Sequence, residues 1–187
     1  MDEFVHFGTR TYGLCLLALA FGRGMDLLST WVATPNLALE GNPVAKKLGW
    51  RWGIVVNIVV TLGVAFWPFP AVSLATTSLL VAARNFQSAW LMRGLGEHAY
   101  REWYVQRLEE TPVALYLFCL LGQTLLVAAV GAALIYFGTD LLMPVSIGLG
   151  LICYSAVVLF YTLLAMWRRR RAYNQKIAQS QHVLTDP

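Results

Sequence analysis

The sequence predicts an all-α membrane protein: a bundle of five transmembrane helices plus one amphipathic helix lying in the cytosolic interface. Three observations lead there. Of 187 residues, 58% are hydrophobic and only 13% charged, against roughly a quarter charged in an ordinary soluble domain, and the mean hydropathy is +0.58. Apolar runs recur at about the 20 helical residues that cross a hydrocarbon layer of about 30 Å. Basic residues bunch beside those runs on one side only, so the net charge of +4 marks membrane orientation and argues against nucleic acid as a partner.

The spans fall at about 11–33, 51–69, 71–92, 113–137 and 141–167. With the interfacial helix they make one transmembrane domain, 1–167, ahead of a basic cytosolic tail, 168–187. In the first span, Ala18-Leu19-Ala20 resembles a signal-peptide cleavage site. Asp2 and Glu3 give the wrong charge ahead of it, and cleavage would expose a half-span bearing Arg23 and Asp26, so the segment reads as a retained helix. Pro68 and Pro70 predict a tight turn between the second and third spans, and Gly138-Thr139-Asp140 another between the fourth and fifth. Both pairs are therefore antiparallel hairpins.

Between the third and fourth spans, Tyr100, Trp103, Tyr104 and Leu108 recur at helical spacing, with Arg101, Glu102, Gln106 and Glu109 on the other side. That pattern predicts a helix over 97–110 anchored in the interface, with docking of a partner protein as the alternative use of the same face. Beyond Trp167 the chain starts with four arginines and turns polar and irregular, suited to meeting anionic lipid. Cys15, Cys119 and Cys153 lie singly in separate apolar runs and read as small core residues.

Loop charges set the orientation. Lys46, Lys47, Arg51, Arg93, Arg101, Arg107, Arg168 to Arg171 and Lys176 fall on one side, and only Arg10 on the other. The N-terminus is expected outside and the C-terminus in the cytosol, in an inner (plasma) membrane. Six of the seven tryptophans mark the same cytosolic boundary, where such rings prefer the headgroup level.

Polar residues inside the spans then gather at one depth. Counting inward from Trp31, Trp52, Trp90 and Trp167 at about 1.5 Å per residue puts Asp26 and Asn57 about 7 Å deep, Arg84 about 9 Å, Tyr161 and Thr162 about 7–9 Å, and Arg23 about 12 Å. Gln123 lies deeper still. Arg23, Asp26 and Thr30 share one helix face with Ser29 beside them, and Arg84, Gln87 and Ser88 share another with Asn85 adjacent. An unpaired ion in hydrocarbon costs about 2.5–3.5 kcal/mol on insertion scales, so these groups should pair or line a wet cavity. The simplest set joins Asp26 to Arg84 and Arg23. The plainer alternative is helix-to-helix bonding at about 0.6 kcal/mol per contact.

Glu40-Gly41-Asn42-Pro43 reads as an N-cap followed by a first-turn proline, a device repeated at Thr34-Pro35 and Thr111-Pro112. Glu40 is not explained by capping; it is either solvated or folded back over the cavity mouth, where it would neutralise a pocket otherwise made positive by two arginines and one aspartate. Asp26-x-x-Ser29-Thr30 followed by Glu40-x-Asn42-Pro43, with an Asn-bearing third span, resembles an uncharacterised group of small prokaryotic integral membrane proteins classed as a domain of unknown function. The resemblance covers residues 20–92 and leaves the last two spans unassigned. It implies that this constellation belongs together, and no activity.

Known chemistries find little support. There is no HExxH; a metal set of Asp26, Glu40 and His98 is conceivable, and no metal or other cofactor is expected. No histidine shares the spans with a serine or cysteine nucleophile, and an aspartyl dyad would need Asp26 with Glu40. Phosphate-binding glycine motifs are absent, and Gly148-x-Gly150 suits close helix packing. Three functions stay open. The first is binding or translocation of a small polar or anionic ligand, or a lipid headgroup, in a cytosol-facing cavity formed by Arg23, Asp26, Ser29, Thr30, Glu40, Asn42, Asn57, Arg84, Asn85 and Ser88. The second is an intramembrane enzyme using Asp26, with Glu40, as general acid/base. The third is an accessory subunit. Membrane lipid is the expected partner, and a homo-oligomer is compatible with all three.

Overall fold

Apolar sequence makes helices here and polar sequence ends them. The computed structural model describes residues 4–138 and 141–185, of which 169–185 as backbone. Among them every regular element is helical: α1 (Arg10–Ala33), α2 (Pro43–Val64), α3 (Pro68–Leu95), α4 (Glu97–Glu110), α5 (Val113–Phe137) and α6 (Leu142–Thr185). Four helices are long and apolar enough to cross a membrane: α1, α2, α5 and the Leu142–Arg168 part of α6. The chain is thus built as a membrane protein. The Asp2-Glu3 charges, the Thr139-Asp140 turn residues and the side chains of Arg169 to Arg171, Lys176 and His182 lie outside the described residues.

Several boundaries differ from the expected ones. The second helix starts at Pro43, eight residues before position 51, because Asn42 caps it. Asn42 Oδ1 accepts from Val44 N–H at 2.9 Å and Ala45 N–H at 3.4 Å, and Pro43 occupies the first turn, where its missing N–H costs nothing. Gly49, at φ 66°, then breaks α2 into a short first piece and a longer second one. Pro68 and Pro70 do not make the turn; they open α3, for the same first-turn reason. Thr34 and Thr111 are not N-caps. Thr34 follows the last turn of α1, and the Thr111 hydroxyl donates back to Arg107 O at 2.6 Å. Beyond Trp167, α6 continues as helix to Thr185 instead of turning irregular.

The five longer helices pack as a row, α2–α1–α3–α6–α5, with α2 touching its neighbours lightly. Register shows the directions. Gly22 meets Ala75 and Ser29 meets Asn85, so α1 and α3 run parallel. Ser73 Oγ donates to Ser146 O at 2.9 Å and Thr77 Oγ1 to Gly150 O at 3.0 Å, so α3 and α6 do too. Gly131 faces Gly148 across the antiparallel α5–α6 pair, where a Cβ on either glycine would stand 2.5–2.6 Å from the other's carbonyl oxygen. Small residues and hydroxyls thus make the contacts, as expected where lipid offers no hydrophobic drive to association.

α3 is the middle of the row, and its composition follows. It is 28 residues long but carries Ser73, Thr76, Thr77, Ser78, Arg84 and Asn85, because its surface meets other helices on two sides. At one end, Tyr12, Cys15 and Leu19 of α1 are buried against Ala71 and Ala75 of α3 and Ala65 of the α2–α3 turn. Val5 N–H donates to Phe66 O at 2.9 Å and Phe4 stacks on Phe66, tying the N-terminal segment across that turn. At the other end, Arg93 lies 5.7 Å from the Trp31 ring centroid, a cation–π contact between α3 and α1. α4 covers the expected residues, with Tyr100 buried, Tyr104 and Leu108 half-buried, and Arg101, Glu102, Gln106 and Glu109 exposed; Trp103, expected on the Tyr100 face, is exposed as well.

A polar cluster between the first three helices

The α1 stripe projects into the space between α2 and α3. Arg23 is its hub: Nε donates to Asn57 Oδ1 at 2.6 Å, and Nη1 donates to Asp26 Oδ2 at 3.2 Å and to Ser78 Oγ at 3.1 Å. Three helices meet on one guanidinium. Asn57 holds its own orientation by donating Nδ2–H to Gly53 O at 2.7 Å, one turn back on α2. Ser78, which the sequence reading did not single out, is fully buried. Its only sequence signal is register: 55 residues separate it from Arg23, close to the 56 and 55 that separate Asn85 from Ser29 and Thr30.

About two turns further along α3 from Ser78, Asn85 closes a second contact. Its Nδ2 donates to Ser29 Oγ at 3.2 Å and Thr30 Oγ1 at 3.3 Å, while the Ser29 hydroxyl donates to Asp26 O at 2.9 Å. Ser88 is more local, its hydroxyl donating to Asn85 O at 3.4 Å.

The expected Asp26–Arg84 pair does not form. Asp26 pairs with Arg23 on its own helix, because an i, i+3 neighbour on one face is closer than any residue at matched depth on another helix. Among the described residues no hydrogen bond or ion pair joins Arg84 to a carboxylate. Instead Arg84 Nη1 is buried with no hydrogen-bond partner. A buried donor left so carries its full desolvation cost, more for a charged group. No hydrogen bond joins Gln123, Tyr161 or Thr162 to the cluster among the described residues, and Gln123 is exposed.

The 34–42 connection lies next to this cluster and is tied down. Glu97, at the start of α4, accepts from Thr34 Oγ1 and from Asn36 N–H, both at 2.9 Å. Burial raises the Glu97 carboxyl, but the hydrogen bonds from Asn36 and Thr34 outweigh it, with a smaller pull from His98, and the group sits below its ordinary 4.5. Trp50 Nε1 donates to Pro35 O at 2.8 Å, and Arg101 and Lys46 both donate to Ala38 O. Leu37 is buried at φ 53°, a left-handed conformation uncommon outside glycine. Neither Glu97 nor Thr34 was foreseen as a pair, since 63 residues separate them and each alone looks like surface.

Glu40 takes a position between the two expected ones. Its Oε1 accepts from Asn42 N–H at 2.8 Å, and its carboxylate is near enough to Asp26 for their charges to interact. Asn42 serves as cap. Among the described residues no group of three or more His, Cys, Asp or Glu is placed to hold a metal ion, so Asp26, Glu40 and His98 do not assemble. The cluster therefore divides into a satisfied part around Arg23 and an unsatisfied one at Arg84. No family model, curated protein or solved structure matches the chain.

Proposed function

We propose that the chain is a five-span protein of the inner membrane, N-terminus outside and C-terminus cytosolic, in which Arg84 binds a small anionic group reaching it from the cytosolic side. The unpartnered, buried Arg84 Nη1 carries this reading. Arg23 directs Nε to Asn57 and Nη1 to Asp26 and Ser78, so it holds the helices together, while the unpartnered Nη1 of Arg84 remains to meet the anion. Gln87 and Ser88 share the Arg84 face at i+3 and i+4 and supply further polar contacts. A carboxylate or phosphate, on a lipid headgroup or a small solute, fits a planar guanidinium fork.

Support for α3 as the fifth span comes from its register with α1. The two helices run parallel from Gly22–Ala75 to Trp31–Arg93, and 28 residues make about 42 Å of helix. If α1 crosses, α3 crosses beside it. α4 then lies in the cytosolic interface with Tyr100 inward. The signature around Asp26 and Asn42 resembles proteins without an assigned reaction and adds none.

The test uses purified protein in anionic-lipid-free nanodiscs. Inorganic phosphate, succinate or a few per cent phosphatidylglycerol should raise the melting temperature of the wild type and leave Arg84→Met unmoved. The phosphate and succinate arms separate a soluble anion from a headgroup. Equal responses of the two proteins, or none above chloride, would sink the reading. A second reading, general acid/base catalysis by Asp26 and Glu40, rests on the proximity of those two carboxylates; turnover of a substrate that is lost in Asp26→Asn while the fold persists would favour it.

A further inference from the structure

The outer helix α5 carries a polar residue that the fold does not use. Gln123 is exposed, and among the described residues its carboxamide makes no hydrogen bond. It stands ten residues into α5, roughly 15 Å from one end of the helix and 21 Å from the other. That is mid-bilayer, beyond the reach of a side chain to either headgroup layer, and acyl chains offer no donor or acceptor.

The residues around it are ordered. α5 meets α6 through Leu120, Thr124 and Gly131, all buried. About a third of a turn away, Leu115, Cys119, Gln123, Leu126, Val130 and Ala133 form an exposed stripe, Leu126 at 72%. The steps are four, four, three, four and three, the spacing of a left-handed helix–helix seam. Gln123 sits inside that seam, where one polar side chain fixes register.

We propose that two copies of the chain associate through α5, with the two Gln123 carboxamides hydrogen-bonded to each other across a two-fold axis along the membrane normal. The occupant follows from the chemistry. A carboxamide donates and accepts, so it is complementary to itself. Two copies inserted in the same direction and related by such an axis bring identical residues together at identical depth, so Gln123 meets Gln123 with no further adjustment. The α5 edge is open to a neighbour, since α6 covers only its other side, and of the two edge helices it is the one with an exposed carboxamide mid-span. This interface does not depend on the anion reading of Arg84.

Cys119, exposed one turn before Gln123 on the same stripe, is a built-in reporter, and exposed Cys153 on α6 is its control. The full chain in liposomes at low protein-to-lipid ratio, oxidised with copper phenanthroline, should give a disulfide dimer that Cys119→Ser abolishes and Cys153→Ser preserves. Gln123→Leu, an apolar change on a lipid-facing surface, should leave the melting temperature of the monomer in place and weaken dimerisation roughly 3- to 30-fold. Energy transfer between copies labelled at Cys153 in the Cys119→Ser background gives the same measurement without the disulfide. The proposal is overturned if Cys119 cross-links no faster than Cys153, if Gln123→Leu dimerises as the wild type does, or if Cys119 in cell membranes is captured only by a different protein.

Discussion

At Arg23 a carboxamide, a carboxylate and a hydroxyl from three helices converge on one guanidinium, while at Arg84 a buried N–H meets nothing. The two sites should therefore respond oppositely to truncation. Asp26→Ala leaves Arg23 uncompensated and should cost about 3–5 kcal/mol, read from unfolding in mixed detergent. A double-mutant cycle should show Arg23 and Asp26 coupled by more than about 0.5 kcal/mol, and Asp26 and Arg84 additive; the reverse result would refute the pairing. Arg84→Met, measured without added anion, should raise stability by about 1–3 kcal/mol, because it removes an unsatisfied donor. Depth along the helix was readable in the sequence and put Asp26 level with Asn57. It also grouped Arg84, Tyr161 and Thr162 with them and set Arg23 deeper, whereas Arg23 is the residue that bonds both Asn57 and Asp26. Depth holds no angle, however, and so it could not say which arginine Asp26 would choose.

Among the elements, α1, α4 and α5 begin and end close to where apolar runs and caps predict. α2 does not, since hydropathy discounted Lys46 and Lys47 although the Asn42-Pro43 cap had already opened the helix. The α5–α6 pair is a matter of volume: Gly148→Leu puts carbon where Gly131 O already stands 2.5 Å from an ideal Cβ, and should cost about 1–3 kcal/mol or more. The 34–42 connection depends on charge instead. Glu97 has a depressed carboxyl value, so its contribution is present above the ordinary 4.5 and is lost as pH falls through the lower folded value. Acidification, or Glu97→Gln at neutral pH, should speed hydrogen exchange at Asn36 and Leu39 while α1 and α3 stay protected. Unchanged exchange at Asn36 would mean that Glu97 does not hold the connection.

For the molecule as a whole, the order α2–α1–α3–α6–α5 was not legible in the sequence. Each span is apolar around most of its circumference, so periodicity marks no single buried face, and neighbours are chosen by small residues such as Gly22, Gly131 and Gly150. What the row adds is direction: α1, α3 and α6 run one way, flanked by α2 and α5 running the other. If α3 crosses with the four more apolar helices, a reporter fused after Pro187 should be cytosolic and one placed before Met1 external. Finding both on one side would leave α3 outside the count of spans.

The placement of Asp26 one turn from Arg23 also bears on how the chain is made. Asn57 and Ser78 lie 34 and 55 residues after Arg23, so neither has left the ribosome when α1 first reaches the bilayer. A guanidinium whose only counter-charge arrived with a later helix would face lipid bare during that interval. Because the carboxylate travels on the same turn, α1 can enter the membrane as a locally neutral unit and acquire its interhelical hydrogen bonds later, as α2 and α3 emerge.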